Sequence, residues 1–166
     1  MLKLIGAAAV FSSCLAIGLY KAMRLKRRCD SLEKLVLCAE HMGAEIAFSK
    51  KRIERIFNET GRRFGLEVFV CAAERIQREG VSAAWRSSLA DYAKDMALSE
   101  HDISAAELLG SGAGDYSGEE QQKGIRTAAR LLELSLGAAR EDYARTAKLY
   151  RSGGALCGML AVIMML

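Results

Sequence analysis

Proline is missing from this chain, and its absence bears directly on the fold. The 166 residues contain none, whereas average usage of about 5% would supply roughly eight. Proline disrupts helix interiors, because its ring clashes with the preceding turn and it has no backbone N–H to donate. Strand signals are equally sparse: the stretch 67–71 is the only β-branched patch in the middle of the chain, and it lies inside a helical pattern. The sequence therefore predicts an all-α fold with uninterrupted helices.

Charged residues are missing from both ends. All 20 acidic residues lie between Asp30 and Asp142, and the segments 4–20 and 152–166 carry no charge of either sign. A bilayer has a hydrocarbon core about 30 Å thick, which about 17 to 25 apolar helical residues can span. The two ends are therefore candidates for membrane helices.

These stretches divide the chain into three parts. We predict transmembrane helices at residues 1–20 and 149–166, joined by a cytoplasmic helical domain at residues 21–148. At 1.5 Å per residue the second helix extends only about 27 Å, so a shallow re-entrant helix is the alternative for it. The middle part falls within the usual size of a single domain.

The basic residues beside the first apolar stretch predict its orientation. Only Lys3 precedes the stretch, whereas five basic residues follow it: Lys21, Arg24, Lys26, Arg27 and Arg28. Lys and Arg beside a membrane helix are retained on the cytoplasmic side, so we expect the N-terminus outside and the middle domain inside. Lys148 and Arg151 precede the second stretch in the same way. A cleaved secretory signal is the alternative, although no A-x-A cleavage site precedes the basic residues.

The net charge of +4 originates in these flanks. The six Lys and Arg residues before Cys29, together with Arg151, leave 17 basic and 20 acidic residues between Cys29 and Lys148, a net charge of −3 for that part. A nucleic-acid-binding domain needs excess positive charge spread over a docking face. The sequence therefore predicts no nucleic-acid partner.

Motifs for catalysis, metals and cofactors are absent as well. The five cysteines, at positions 14, 29, 38, 71 and 157, form no C-x-x-C pair, and in a reducing cytoplasm we expect core thiols. His41 and His101 have no ligand pattern nearby. The glycine-rich run 110–114 lacks the lysine of a phosphate-binding loop and is interpreted as a flexible loop. We predict no enzymatic activity, no metal and no cofactor.

Apolar residues at three- and four-residue spacing predict six helices. One such face continues from the first apolar end to Ile46, and another runs from Ile125 into the second. Four shorter helices lie between them, and short connections favour antiparallel neighbours. We predict an antiparallel helical bundle whose first and last helices continue into the membrane. Trp85 lies on an apolar helical face and is expected in the core.

Capping residues and glycines predict where the helices begin and end. Ser49 precedes the second helix, and two capping boxes, Ser99 with Asp102 and Ser117 with Glu120, precede the fifth and sixth. Glycine ends helices because it adopts left-handed backbone angles without strain. The expected ends of the second, third and fifth helices are Gly61, Gly80 and Gly110.

Small residues recur at four-residue spacing in the predicted membrane helices. They are Ala8, Ser12 and Ala16 in the first and Gly154 and Gly158 in the second. In lipid, such faces let helix backbones approach closely. We predict that they pack the two membrane helices together or join neighbouring copies in a homo-oligomer. The alternative is that membrane helices are simply rich in small residues.

Opposite charges are expected to meet at the end of the bundle farthest from the membrane. As helices, residues 21–48 and 118–150 would extend about 42 Å and about 50 Å, which brings the turn after Phe48 close to the loop before residue 118. Both groups of charges fall there: Lys50, Lys51, Arg52 and Arg55, and Asp115, Glu119 and Glu120. We predict that they bind a partner. The alternative is that they pair with each other, at about 0 to 1 kcal/mol per exposed pair.

Several short segments occur in an order that resembles a known family. They are Met1 to Ala7, Ala44-Glu45-Ile46, Ala84-Trp85, Gln121 to Ile125, and Leu149-Tyr150-Arg151 followed by Gly153 and Gly158. Together they resemble the stage III sporulation protein AB family, membrane proteins of endospore-forming bacteria, over essentially the whole chain. One departure is Lys51-Arg52-Ile53, where the family often carries Thr-Pro-Leu, and the conformation of this turn is therefore open.

The resemblance implies a place in the channel-like complex between the mother cell and the engulfed forespore, in the mother-cell membrane. It implies a domain similar to the F-type inner-membrane platform protein of type II secretion, and a cytoplasmic ATPase, stage III sporulation protein AA, as partner. The chain would then be a non-enzymatic platform that couples this ATPase to the membrane assembly. The alternative is a membrane-anchored regulatory adaptor that sequesters a cytoplasmic factor.

Overall fold

Helices account for all the regular structure in the described part of the chain. The computed structural model describes the backbone of residues 2–49, 51–114 and 118–165, and the side chains in these ranges except those of 2–11, 14, 151, 153–158 and 160–165. Six helices and no strands occupy the described residues. They are α1 (Leu2–Phe48), α2 (Ile53–Phe64), α3 (Glu67–Glu79), α4 (Val81–Tyr92), α5 (Glu100–Ala113) and α6 (Gly118–Met165). The prediction of an all-α fold is confirmed.

Local signals mark two helix boundaries as predicted. The Ser99 hydroxyl accepts a hydrogen bond from the Asp102 backbone N–H at 3.3 Å, and the Asp102 carboxylate accepts one from the Ser99 N–H at 2.9 Å. These reciprocal bonds form the predicted capping box and satisfy two N–H groups at the start of α5. Gly80 ends α3, also as predicted. Ser117, from the other predicted capping box, lies outside the described residues.

Both predicted boundaries of α2 are wrong. The helix continues through Gly61 to Phe64, and the left-handed residue that follows is Gly65, with a φ of 64°. Gly61 is a packing position instead, because a Cβ placed on it would lie 2.9 Å from side-chain atoms of α3. At the other end α2 begins after Arg52 and not after Ser49, and no side chain caps it.

The glycine-rich run 110–114 is not a flexible loop, because α5 continues to Ala113. Gly110 and Gly112 are buried. A Cβ on Gly110 would overlap the indole of Trp85, and a Cβ on Gly112 would lie 2.7 Å from the backbone of Gly124. Since no side chain fits at either position, these glycines allow α5 to pack closely against α4 and α6.

Trp85 lies in the core, as predicted. Its side chain is fully buried, and the ring centroids of Phe57 and Phe69 lie 5.8 and 4.7 Å from its own. The indole N–H donates a hydrogen bond to the carbonyl oxygen of Ala106 at 2.7 Å. A buried tryptophan needs such a partner for its polar group. Through these contacts one side chain joins α4 to α2, α3 and α5.

The chain forms two compact units. The bundle unit comprises Asp30–Gly137, with the later part of α1, the helices α2 to α5 and the first part of α6. The stalk unit comprises Met1–Cys29 and Ala138–Leu166. The predicted boundaries after residues 20 and 148 mark where the chain would enter the membrane. The division into two compact units does not test this, so these boundaries stay predictions.

Within the stalk unit α1 and α6 run antiparallel. Arg28 Nη1 lies 3.2 Å from a carboxylate oxygen of Asp142, and Lys21 Nζ lies 5.1 Å from the ring centroid of Tyr150. The buried side chains here are small, with Ala22 and Ala139 each 1% exposed, so the two helices approach closely. Large apolar side chains are exposed on the same unit: Ile17, Leu19, Tyr20, Met23, Leu149 and Met159.

The membrane prediction concerns this unit. Over the part of the chain that the structure describes, none of the helices combines the length and the apolar character needed to cross a membrane. The transmembrane assignment of residues 1–20 and 149–166 stays a prediction.

Candidate interaction surface

The turn between α1 and α2 carries three of the predicted partner-binding residues. Lys51 and Arg52 lie in the turn, and Arg55 lies in the first turn of α2. All three are exposed. Lys50, the fourth basic residue predicted here, lies outside the described residues.

Two of these basic residues share a carboxylate. Lys51 Nζ lies 2.7 Å from Glu59 Oε2 and 2.9 Å from Glu45 Oε2, and it therefore connects α1 with α2. Arg55 Nε donates a hydrogen bond to Glu59 Oε1 at 2.7 Å. Each oxygen of the Glu59 carboxylate thus faces its own cation.

These contacts shift the pKa values of the groups involved. Hydrogen bonds from Lys51 and Arg55 lower the pKa of Glu59 to about 2. The hydrogen bond from Lys51 lowers the pKa of Glu45, and its bonds to Glu59 and Glu45 raise the pKa of Lys51. All three groups are therefore charged at physiological pH.

The cluster is an ion-pair network and not an exposed basic patch. Arg52, whose side chain is 76% exposed, pairs with Glu54 at 3.0 Å. Among the described residues the three cations thus face three carboxylates, those of Glu45, Glu54 and Glu59. These glutamates were not predicted from the sequence. The four-residue spacing of Arg55 and Glu59 could have identified one pair, whereas the contact of Lys51 with Glu45 depends on how the turn folds.

The predicted acidic residues lie at the start of α6. Glu119 and Glu120 are exposed in its first turn, where the positive end of the helix dipole favours carboxylates. Asp115 lies outside the described residues. A Cβ on Gly43 in α1 would lie 3.6 Å from a side-chain carbon of Ile125 in α6, so the end of α1 and the start of α6 occupy the same end of the bundle unit. Which of these charges contacts a partner stays a prediction.

An apolar groove of about 600 Å³ runs between α1 and α6 beside this end, and we call it the α1–α6 groove. Its floor includes the buried residues Ala39, Ile125 and Ala129, together with Gly43. Small side chains on the floor leave room for a partner's side chains. The groove was not predicted from the sequence, because only the packing of α1 against α6 creates it.

Charged and aromatic side chains form the rim of the groove. Phe48 stands at one end with 92% of its side chain exposed. Glu40 lies on the α1 wall, and Arg126, Arg130 and Glu133 lie on the α6 wall. All four charged residues are exposed, and among the described side chains none is joined to another residue by an ion pair or hydrogen bond. An apolar floor with a charged rim is suited to binding a helical surface.

The acidic residues, histidines and cysteines of the described part of the chain bear on metal binding and on thiol chemistry. No three His, Cys, Asp or Glu side chains among them are grouped so as to hold a metal ion. Cys29 and Cys38 are buried, as expected of core thiols, whereas Cys71 is only partly buried. Burial raises the pKa of Cys38 to about 12. Its thiol is therefore protonated, and a protonated thiol is a poor nucleophile.

The predicted small-residue faces are described only in part. Ser12 and Ala16 are exposed. The side chain of Ala8 and positions Gly154 and Gly158 lie outside the described side chains. Packing through these residues stays a prediction.

Comparisons with known proteins agree on one family. The family model described as stage III sporulation protein AB matches residues 3–166. Stage III sporulation protein AB of Bacillus subtilis (strain 168) is 23% identical over 171 residues, covering 100% of both chains. A solved structure named stage III sporulation protein AB (SpoIIIAB) covers 70% of this chain and 96% of its own, with a TM-score of 0.64 and 18% identity. At that identity the solved structure supports the fold alone.

Proposed function

We propose that this chain, which belongs to the stage III sporulation protein AB family, is a membrane-held platform in the sporulation complex between mother cell and forespore. Residues 1–20 and 149–166 cross the mother-cell membrane, and residues 21–148 remain in the cytoplasm. The domain catalyses no reaction. It receives a cytoplasmic ATPase, stage III sporulation protein AA, and couples it to the membrane parts of the complex.

The continuity of the two long helices carries this proposal. α1 has 47 residues and α6 has 48, and each is therefore about 70 Å long at 1.5 Å per residue. A membrane span uses about 30 Å of such a helix, and the remaining length of about 40 Å is more than the part of each helix that lies in the bundle unit. α1 and α6 each continue from the bundle unit into the stalk unit, and in this proposal they link the ATPase to the membrane parts of the complex.

The surface of the stalk unit supports contact with lipid. Ile17, Tyr20, Met23 and Leu149 are each more than 60% exposed. Exposed large apolar side chains at this density are unfavourable in water but not in a bilayer. The basic residues that follow residue 20 are the type retained on the cytoplasmic side.

Cysteine labelling tests the topology. Single cysteines are placed by Leu2→Cys and Gly118→Cys in a chain whose five native cysteines are replaced by alanine. Gly118 is exposed, and a Cβ there meets no atom within 4 Å. In intact cells a membrane-impermeant maleimide should label position 2 and not position 118.

Permeabilised cells provide the control, in which position 118 must become labelled. Labelling of position 118 in intact cells would place the bundle unit outside the cytoplasm and contradict the proposal.

Charge reversal tests the ATPase site. Arg52→Glu with Arg55→Glu removes two exposed cations, with side chains 76% and 71% exposed, and keeps the Lys51 bridge to Glu45. If this end binds an acidic face of the ATPase, the double variant should weaken co-purification by about tenfold or more. Wild-type binding should also weaken as salt is raised.

The matched control is Arg78→Glu with Lys94→Glu, which reverses two exposed charges elsewhere on the bundle unit. It should bind the ATPase normally. Equal binding by both double variants across a salt series would exclude the charged end as the site. Failure of even the wild-type chain to bind the ATPase would favour the regulatory adaptor.

A further inference from the structure

We propose that the α1–α6 groove binds a second copy of this chain. The two copies are related by a two-fold axis parallel to the groove. In this arrangement α1 of each copy lies over α6 of the other. The inference is independent of the ATPase site, because the residues that carry it are not those of the ion-pair network.

Residues of α1 and α6 can be matched by their position along the groove. Gly43 of α1 lies opposite Ile125 of α6, and the two helices run antiparallel along the groove. About one turn away from these residues, toward the same end, lie Glu40 on one wall and Arg130 on the other. At 1.5 Å per residue their positions along the groove differ by about 3 Å, which the long arginine side chain can span.

The charges of the two walls complement each other across the two-fold axis. Such an axis keeps the level of every residue and places each α1 wall over the α6 wall of the other copy. Glu40 therefore faces Arg130 of the second copy, and the same contact forms twice. Within one chain neither residue has an ion-pair partner among the described side chains.

Exposed apolar residues follow the same pairing. Leu37 lies before Glu40 on the outer face of α1, and Leu134 follows Arg130 on α6; they are 43% and 64% exposed. The axis that pairs Glu40 with Arg130 also sets Leu37 near Leu134 of the second copy. Burial of both leucines contributes favourably to association.

Phe48 would add a further apolar contact. Four large apolar side chains are exposed among the described residues of the bundle unit, namely Leu37, Phe48, Leu108 and Leu134, and Phe48 is the one among them that lines the groove. An exposed aromatic side chain beside an apolar groove is a suitable contact for a partner. In the two-fold arrangement Phe48 lies over the start of the second copy's α6.

The distribution of charge favours a second copy over an unrelated helix. The α1 wall carries Glu40, whereas the α6 wall carries Arg126 and Arg130 with one opposing acid, Glu133. A uniformly acidic or basic partner would meet a like charge on one wall. A copy of the same surface presents the opposite charge to both walls at once.

Two charge-reversed variants test this arrangement. Glu40→Arg and Arg130→Glu are prepared separately in the detergent-solubilised full chain, and association is measured by sedimentation over a concentration series. Each variant alone should dissociate at about tenfold higher concentration or more than the wild type, since both reciprocal contacts become repulsive. Mixed together, the two variants should associate again. One of the two contacts then joins the reversed positions with their charges exchanged, and the other is the wild-type pair of Glu40 with Arg130.

Glu74→Arg and Arg78→Glu are the controls, since both residues are exposed on α3 away from the groove. They should associate like the wild type, and far-UV circular dichroism should show all variants folded. A wild-type chain that stays monomeric at every concentration would overturn the proposal. So would association that is unaffected by either groove variant. Loss of ATPase binding by the groove variants, with a monomeric wild type, would assign the groove to that partner instead.

Discussion

Replacing Trp85 by alanine should lower the free energy of unfolding by about 3 to 5 kcal/mol. The indole is fully buried against Phe57 and Phe69, so its removal leaves a cavity shared by four helices. It also removes the hydrogen bond to Ala106. Domains of this size are stable by only about 5 to 15 kcal/mol, so the variant should lose a large fraction of its stability. Urea denaturation of the detergent-solubilised chain, followed by circular dichroism, measures the loss.

Trp85→Phe is the graded control for this prediction. It keeps an aromatic ring in the core and loses the indole N–H, so its free energy of unfolding should lie between that of the wild type and that of Trp85→Ala. A loss below about 1 kcal/mol for the alanine variant would show that the side chain is not buried in solution.

Replacing Gly112 by alanine should destabilise the fold by about 1 to 3 kcal/mol. The added Cβ would lie 2.7 Å from the backbone carbonyl carbon of Gly124. Backbone atoms cannot move aside as a flexible side chain can, so α5 and α6 must separate. The expected sign is opposite to that of a glycine-to-alanine change in an exposed helix, which stabilises by about 0.5 to 1 kcal/mol. The same denaturation experiment measures it.

Gly137→Ala is the matched control, because Gly137 is exposed in α6 and an added Cβ meets no atom within 4 Å. This variant should be as stable as the wild type or slightly more stable. If both variants gained stability, the close approach of α5 to α6 at Gly112 would be wrong.

Local sequence patterns predicted several elements correctly. The Ser99 and Asp102 capping box and the end of α3 at Gly80 depend on neighbours in the chain. The absence of strands from the described residues was also predicted from local patterns, because apolar residues recur at helical spacing in a chain without proline. Trp85 was predicted in the core because its helix has an apolar face.

The glycines show where local patterns are insufficient. Gly80 and Gly110 are both glycines in helical surroundings, yet the first ends α3 and the second is buried inside α5. Their difference lies in what packs beside them: Gly80 has no atom within 4 Å of an added Cβ, whereas Gly110 lies against Trp85. No pattern within a few residues of Gly110 identifies a side chain from another helix.

The candidate surfaces could likewise be predicted only in part from the sequence. The sequence by itself placed basic residues near the turn after α1 and acidic residues near the start of α6, because charge is a property of each residue. Only the tertiary structure showed that Glu45 and Glu59 pair with Lys51, and that α1 and α6 leave a groove between them. Ion pairs and grooves join residues distant in sequence, and their geometry depends on how helices pack. The sequence therefore determined the all-α class and the charges, and the packing decided where α2 and α5 end, which charges pair and which surfaces remain exposed.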